Sequence, residues 1–193
     1  MKSARELRGY TLVEVAVALA VLAVGAAGVI AVQKATGVGN VNARNIATAN
    51  RIAAKWAERL QADSLQWNEL TGYSSSHWLS KATLPPAAWA IPLEVPGRAS
   101  PDADVLGADI FPGDPAASAF CTHLRLLALP GSAAALTTPP APPLVPAIRA
   151  EIRVFWRKSG DPVDCSKPPN DIGQERERYG FIHHVAGVTA PQQ

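Results

Sequence analysis

The sequence predicts an α+β fold, with one long N-terminal helix packed on a small antiparallel β-sheet. Three observations predict it. From Tyr10 to Gln33 run 24 residues whose only ionisable side chain is Glu14. Beyond Lys34 the pattern turns amphipathic at helical spacing as far as about residue 62. Three segments in the C-terminal half then carry the composition of strands. With 193 residues, 48% hydrophobic and 18% charged, the chain holds one modest globular domain plus one extended element. Its 17 prolines argue against an all-helical bundle.

The first element is a membrane-length helix behind a basic leader. Residues 1–9 set Lys2, Arg5 and Arg8 against Glu6. As a helix, the run over 10–33 spans about 36 Å, slightly more than a ~30 Å hydrocarbon core. The basic flank keeps the N-terminus cytoplasmic, so everything after Lys34 is expected across the membrane. A rival reading is a secretory signal peptide cut near Ala26, but Glu14 sits awkwardly at the head of its apolar region and the apolar run continues past Ala26. Glu14 is the anomaly, because a carboxylate one turn into an apolar helix costs a few kcal/mol unless it finds a partner or snorkels to water.

Gly9 to Glu14 spell G-Y-T-L-V-E, directly behind the basic leader. This string resembles the class III signal of type IV prepilins: a glycine, an aromatic residue, Thr-Leu-x-Glu and an unbroken apolar helix. The resemblance implies cleavage after Gly9, an N-methylated new terminus at Tyr10, and an assembly role for Glu14, whose carboxylate would meet the N-terminal amine of a neighbouring subunit. Tyr10 departs from the usual Phe but keeps the ring. The run from Val21 to Gln33, with Gly25 and Gly28, resembles PilV-type minor pilins, and no kinking proline lies between Tyr10 and Leu60. The implied organisation is a leader over 1–9, a transmembrane or filament-core half over 10–33, an amphipathic half over 34–62, and an extracytoplasmic β-rich domain over 63–193.

In the amphipathic half, Ala49, Ile52, Ala53, Trp56 and Leu60 fall on one face, opposite Arg51, Lys55, Glu58 and Arg59. Residues 63–117 read as loop-rich, with seven prolines from Pro85 to Pro115. The expected strands are 119–129, 147–157 and 179–188. The second alternates: Ile148, Ala150, Ile152, Val154 and Trp156 face one way, while Arg149, Glu151, Arg153 and Arg157 face the other. Between the first two, residues 137–146 hold five prolines and favour an extended arm over a tight turn. Outside the cytoplasm, the isolated pair Cys121 and Cys165 defaults to an intramolecular disulfide, with an intermolecular bridge or two free thiols as the alternatives. Such a bond also resembles the C-terminal disulfide common in pilins.

Motifs for catalysis are absent: there is no G-x-S-x-G, H-E-x-x-H, phosphate loop or dinucleotide turn. His183 and His184 adjoin on a strand and point to opposite faces, which disfavours one shared metal. Cys121 and His123 share a strand face, a weak nucleophile–base arrangement. Asp161, Asp164 and Asp171 lack calcium-loop spacing. Without the leader's three basic and one acidic residues, 15 of each remain, so the processed chain is neutral and nonspecific nucleic-acid binding through Arg153, Phe155, Trp156, Arg157 and Lys158 is not expected.

The expectation is therefore a minor pilin without cofactor or metal, a substrate of prepilin peptidase rather than an enzyme. It would help initiate a type IV pilus or form its tip complex, serving motility or adhesion. Expected partners are other minor pilins and the major pilin, with a tip adhesin as a further candidate. It would sit in the inner membrane as a single-pass, N-in protein and then pass to the pilus. The alternatives are a type II secretion pseudopilin or, from another class, an exported membrane-anchored ligand-binding module.

Overall fold

The structure is a computed structural model that describes residues 11–67, 75–82, 86–129 and 147–189. The chain forms two units, Met1–Arg44 and Asn45–Gln193. The elements in order are helix α1 (Leu12–Ser64), a 3-10 turn (Leu79–Lys81), β1 (Asp102–Ala103), β2 (Phe120–Ala128), β3 (Ala147–Arg157), helix α2 (Pro169–Gln174) and β4 (Tyr179–Thr189). The fold is α+β and type IV pilin-like. The proline-rich segment 137–146 lies outside the described residues.

In the first unit α1 carries apolar side chains on every face. Leu12, Val15, Leu19, Leu22, Val29 and Val32 are all exposed. A soluble core helix of this composition would be buried. This stretch is long and apolar enough to cross a membrane, and its side chains are exposed. Beyond Asn45 the sequence supplies one apolar stripe at helical spacing, and the helix buries it.

In the second unit the strands run antiparallel in the order β1-β2-β3-β4. Leu124 opposes Ile152 across β2 and β3, and Ile152 opposes His184 across β3 and β4. Ala49, Ile52, Ala53, Trp56 and Leu60 share one core with Leu124, Ile148, Ala150, Ile152, Val154, Trp156 and Val188. This is the sheet face that the alternation of β3 predicts. Gly180 stands opposite Trp156, and a Cβ there would come within 2.5 Å of the indole. The residue is a glycine because the ring occupies the space.

On two polar faces other chain segments enclose part of the charge: Arg59 on the helix and Glu151 and Arg153 on the sheet, while Arg51 and Glu58 stay exposed. On the helix, Lys55 and Arg59 both reach Asp109, and Arg51 donates to the Leu106 carbonyl, so the loop after β1 lies along that side. On the sheet, Glu151 and Arg153 are buried, at 8% and 7% exposure. Residues 158–178 fold across this second face, where Phe155, Val163, Cys165, Ile172 and Tyr179 form a smaller core with Cys121. Phe155, which breaks the polar pattern of that face, marks where the cover sits.

The loop-rich region is also tied down. The Asp63 carboxylate accepts backbone N–H bonds from His77, Trp78 and Leu79 at 2.8, 2.9 and 3.0 Å. Trp78 then meets Trp56 edge-on at 5.6 Å. Asp63 thus anchors the following loop on the C-terminal end of α1, a role with no periodic signal in the sequence.

Candidate processing and assembly site

Gly9 and Tyr10, the expected processing residues, lie outside the described residues. Glu14 falls in the first turn of α1. Its N–H is shared between the carbonyl of Thr11 at 3.1 Å and the Thr11 hydroxyl at 3.3 Å. Thr11 is thereby the N-cap of α1, with Glu14 three residues on, the spacing of a capping box. Thr11 is the residue that a reading focused on the glycine and the glutamate passes over, and Thr-x-x-Glu ahead of an apolar run is its signal. A carboxylate in the first turn also opposes the positive end of the helix dipole, a gain of about 0.3–1 kcal/mol at an exposed site.

The local geometry therefore presents two groups at one helix end: a hydroxyl cap and one acidic side chain, ahead of a long uncharged surface. Among the described residues from Thr11 to Gln33, Glu14 is the sole ionisable group. Buried in an apolar assembly it would need a partner or a neutral form.

Cys121 and Cys165 are bonded, with Cα atoms 5.3 Å apart. The bond closes a separation of 44 residues and fastens the cover of the second sheet face to β2. It also removes Cys121 as a nucleophile. His123, fully buried, packs on Phe155 at 4.7 Å, and its Nδ1 lies 2.8 Å from an Arg153 nitrogen. Arg153 has only protons to give, so Nδ1 accepts and the neutral ring carries its proton on Nε2. Burial, and then the Arg153 charge, hold the imidazole down at about 3.

The remaining candidates separate from one another. His183 pairs with Arg153 and lies by Trp89, whereas His184 pairs with Ile152 on the helix side. Burial and then Arg153 lower His183 as well. Asp161 accepts from the Ser159 hydroxyl and Asp164 from Ser166, whose hydrogen bonds hold Asp164 below the usual carboxylate range. Among the described residues no group of three or more His, Cys, Asp or Glu is placed to hold a metal ion. Of the basic and aromatic cluster on β3, Phe155 and Trp156 are buried in the two cores and Arg153 donates to the Pro169 carbonyl.

Residues 7–30 match the family model described as the prokaryotic N-terminal methylation motif. This is a type IV pilin-like prepilin signal. No curated protein and no solved structure gives a significant match. The signal and the exposed apolar helix together fit single-pass anchoring in the inner membrane, followed by passage to the pilus or cell surface. The prepilin signal belongs to structural subunits, not enzymes, and it implies contact with prepilin peptidase and with other pilin-like subunits.

Proposed function

We propose that this chain is a minor pilin of the PilV type, processed after Gly9, N-methylated at Tyr10, and used to initiate a type IV pilus or to build its tip complex. The observation that carries the reading is the G-Y-T-L-V-E string ahead of a helix whose apolar surface is unfilled on every side and contains one carboxylate. Cleavage would leave a new amine one residue before the Thr11 cap. That amine and the helix dipole would both call for an anion once the helix is packed among apolar neighbours. Glu14 of an adjacent subunit supplies it at a single axial stagger, so the pairing sets register more than it adds stability, because desolvation consumes much of the Coulomb gain.

The unbroken, proline-free α1 supports a minor rather than a kinked major subunit. Other minor pilins and the major pilin would be its neighbours. The mass of the chain extracted from membranes tests the first step: a species starting at methylated Tyr10 is expected, and one retaining Met1 or starting near residue 27 would refute it. Glu14→Ala should insert in the membrane normally yet fall at least about tenfold in pilus incorporation. Wild-type incorporation of that variant would refute the role of the carboxylate. Pulldown with pilus subunits rather than type II secretion components distinguishes the pilin from a pseudopilin.

A further inference from the structure

β4 is an open edge. Lys158 donates to the Arg178 carbonyl at 3.0 Å just ahead of the β3–β4 ladder. In an antiparallel pair this phase alternates, so Gly180, Ile182, His184 and Ala186 turn their N–H and C=O groups toward β3. Phe181, His183, Val185 and Gly187 therefore turn theirs outward. The opposite edge of the sheet is occupied: β2 meets β1, and Leu124 exchanges two 2.8 Å hydrogen bonds with Ala90. Among the described residues no strand pairs with the outer side of β4.

Edge strands are normally protected by charge, proline, a bulge or shortness. β4 has none of these. It is 11 residues long, contains no Lys, Arg, Asp, Glu or Pro, and keeps an unbroken register with β3. Val185 on its rim is 54% exposed.

We infer that this edge is an interface for a second copy of the chain, pairing β4 with β4 antiparallel about a two-fold axis at His184. The strand's own side chains select that occupant and that register. With His184 opposite His184 of the second copy, Phe181 falls across Gly187, and His183 falls across Val185. Nothing lies within 4 Å of where a Gly187 side chain would be. Each half-buried Phe181 then covers the open glycine of the other copy, the aromatic–glycine pairing that stabilises exposed sheet edges. On the helix side Ile182 meets Ala186. No Lys, Arg, Asp or Glu opposes another along the strand, and a two-fold contact satisfies both edges at once without leaving a new one. The sheet becomes continuous across the pair. This inference rests on the sheet edge alone and stands apart from cleavage at Gly9.

The register can be read by cross-linking the full-length chain in detergent. His184 of each copy would occupy a non-hydrogen-bonded pair, with Cα atoms about 4.5 Å apart, within disulfide range. Oxidised His184→Cys should give a covalent dimer as the main species. Ile182→Cys or Ala186→Cys alone should give at least about fivefold less, and a mixture of the two should restore it. Val185→Pro removes only an outward N–H, which an edge strand tolerates. In the His184→Cys background it should abolish the dimer while far-UV circular dichroism and the Cys121–Cys165 bond persist. A His184→Cys chain that stays monomeric, equal cross-linking at 182, 184 and 186, or a dimer that survives Val185→Pro would overturn the proposal. So would cross-linking of His184→Cys only to a different subunit when membranes contain other pilin-like chains.

Discussion

His123 makes the second unit acid-labile in a calculable way. Folding places its imidazole at no exposure, against Phe155 and beside the Arg153 guanidinium, and brings it from 6.5 to about 3. The unfolded chain therefore takes up this proton first. The contribution to stability is complete above pH 6.5 and is lost as pH falls toward 3. At about 1.36 kcal/mol per pH unit the whole interval is worth about 4–5 kcal/mol, and the step from pH 6.5 to 5.0 about 2 kcal/mol. For a domain of this size that step lowers Tm by about 4–8 °C. Asp102 acts in the opposite sense. Burial raises its carboxyl, so its contribution is present below 3.8 and lost as pH rises through the folded value. His183 adds to the loss with the same sign as His123. Thermal melts of the full-length chain at pH 6.5, 5.8 and 5.0, followed by near-UV circular dichroism, measure the slope. His123→Gln should lose most of it while remaining folded at pH 7. A wild-type Tm that is flat across this range, or an unchanged slope in His123→Gln, would refute the assignment.

Three further substitutions test the packing. Gly180→Ala drives a methyl to 2.5 Å from the Trp156 indole and should cost about 1–3 kcal/mol in urea unfolding, whereas Gly187→Ala, in open space, should cost under about 1 kcal/mol. Asp63→Ala strips the acceptor from three backbone N–H groups and should cost about 2–4 kcal/mol, with faster proteolysis between residues 65 and 82 as its signature. Cys121→Ser with Cys165→Ser should cost about 4 kcal/mol on the loop-entropy account, and limited proteolysis should then cut first within 158–178. Retention of wild-type protease resistance would show that the cover holds without the bond.

Much of the architecture was legible because it follows from periodicity. The alternation over 147–157 defines β3 to the residue, and the helical spacing of Ala49, Ile52, Ala53, Trp56 and Leu60 defines the buried stripe of α1. Glu14 was legible for the opposite reason, as an exception within an uncharged run. The capping role of Thr11 was written in the same string but is overshadowed by the motif around it. β1 was not legible. Two residues cannot display a period, and Asp102–Ala103 is a strand only because β2 lies beside it.

By itself, the sequence determined the membrane-length helix, its prepilin signal, the helix-facing side of the sheet and the three long strands. Each is a local pattern repeated along the chain. Only the tertiary structure decided that the other side of the sheet is a second core. The pieces of that core come from Phe155, Val163, Ile172 and Tyr179, scattered over a strand end, a loop and a short helix with no common spacing. For the same reason Arg153 and Glu151 alternate like solvent-facing residues yet are enclosed. Alternation reports which side of a strand a residue takes, whereas what covers that side is set by chain segments remote in sequence.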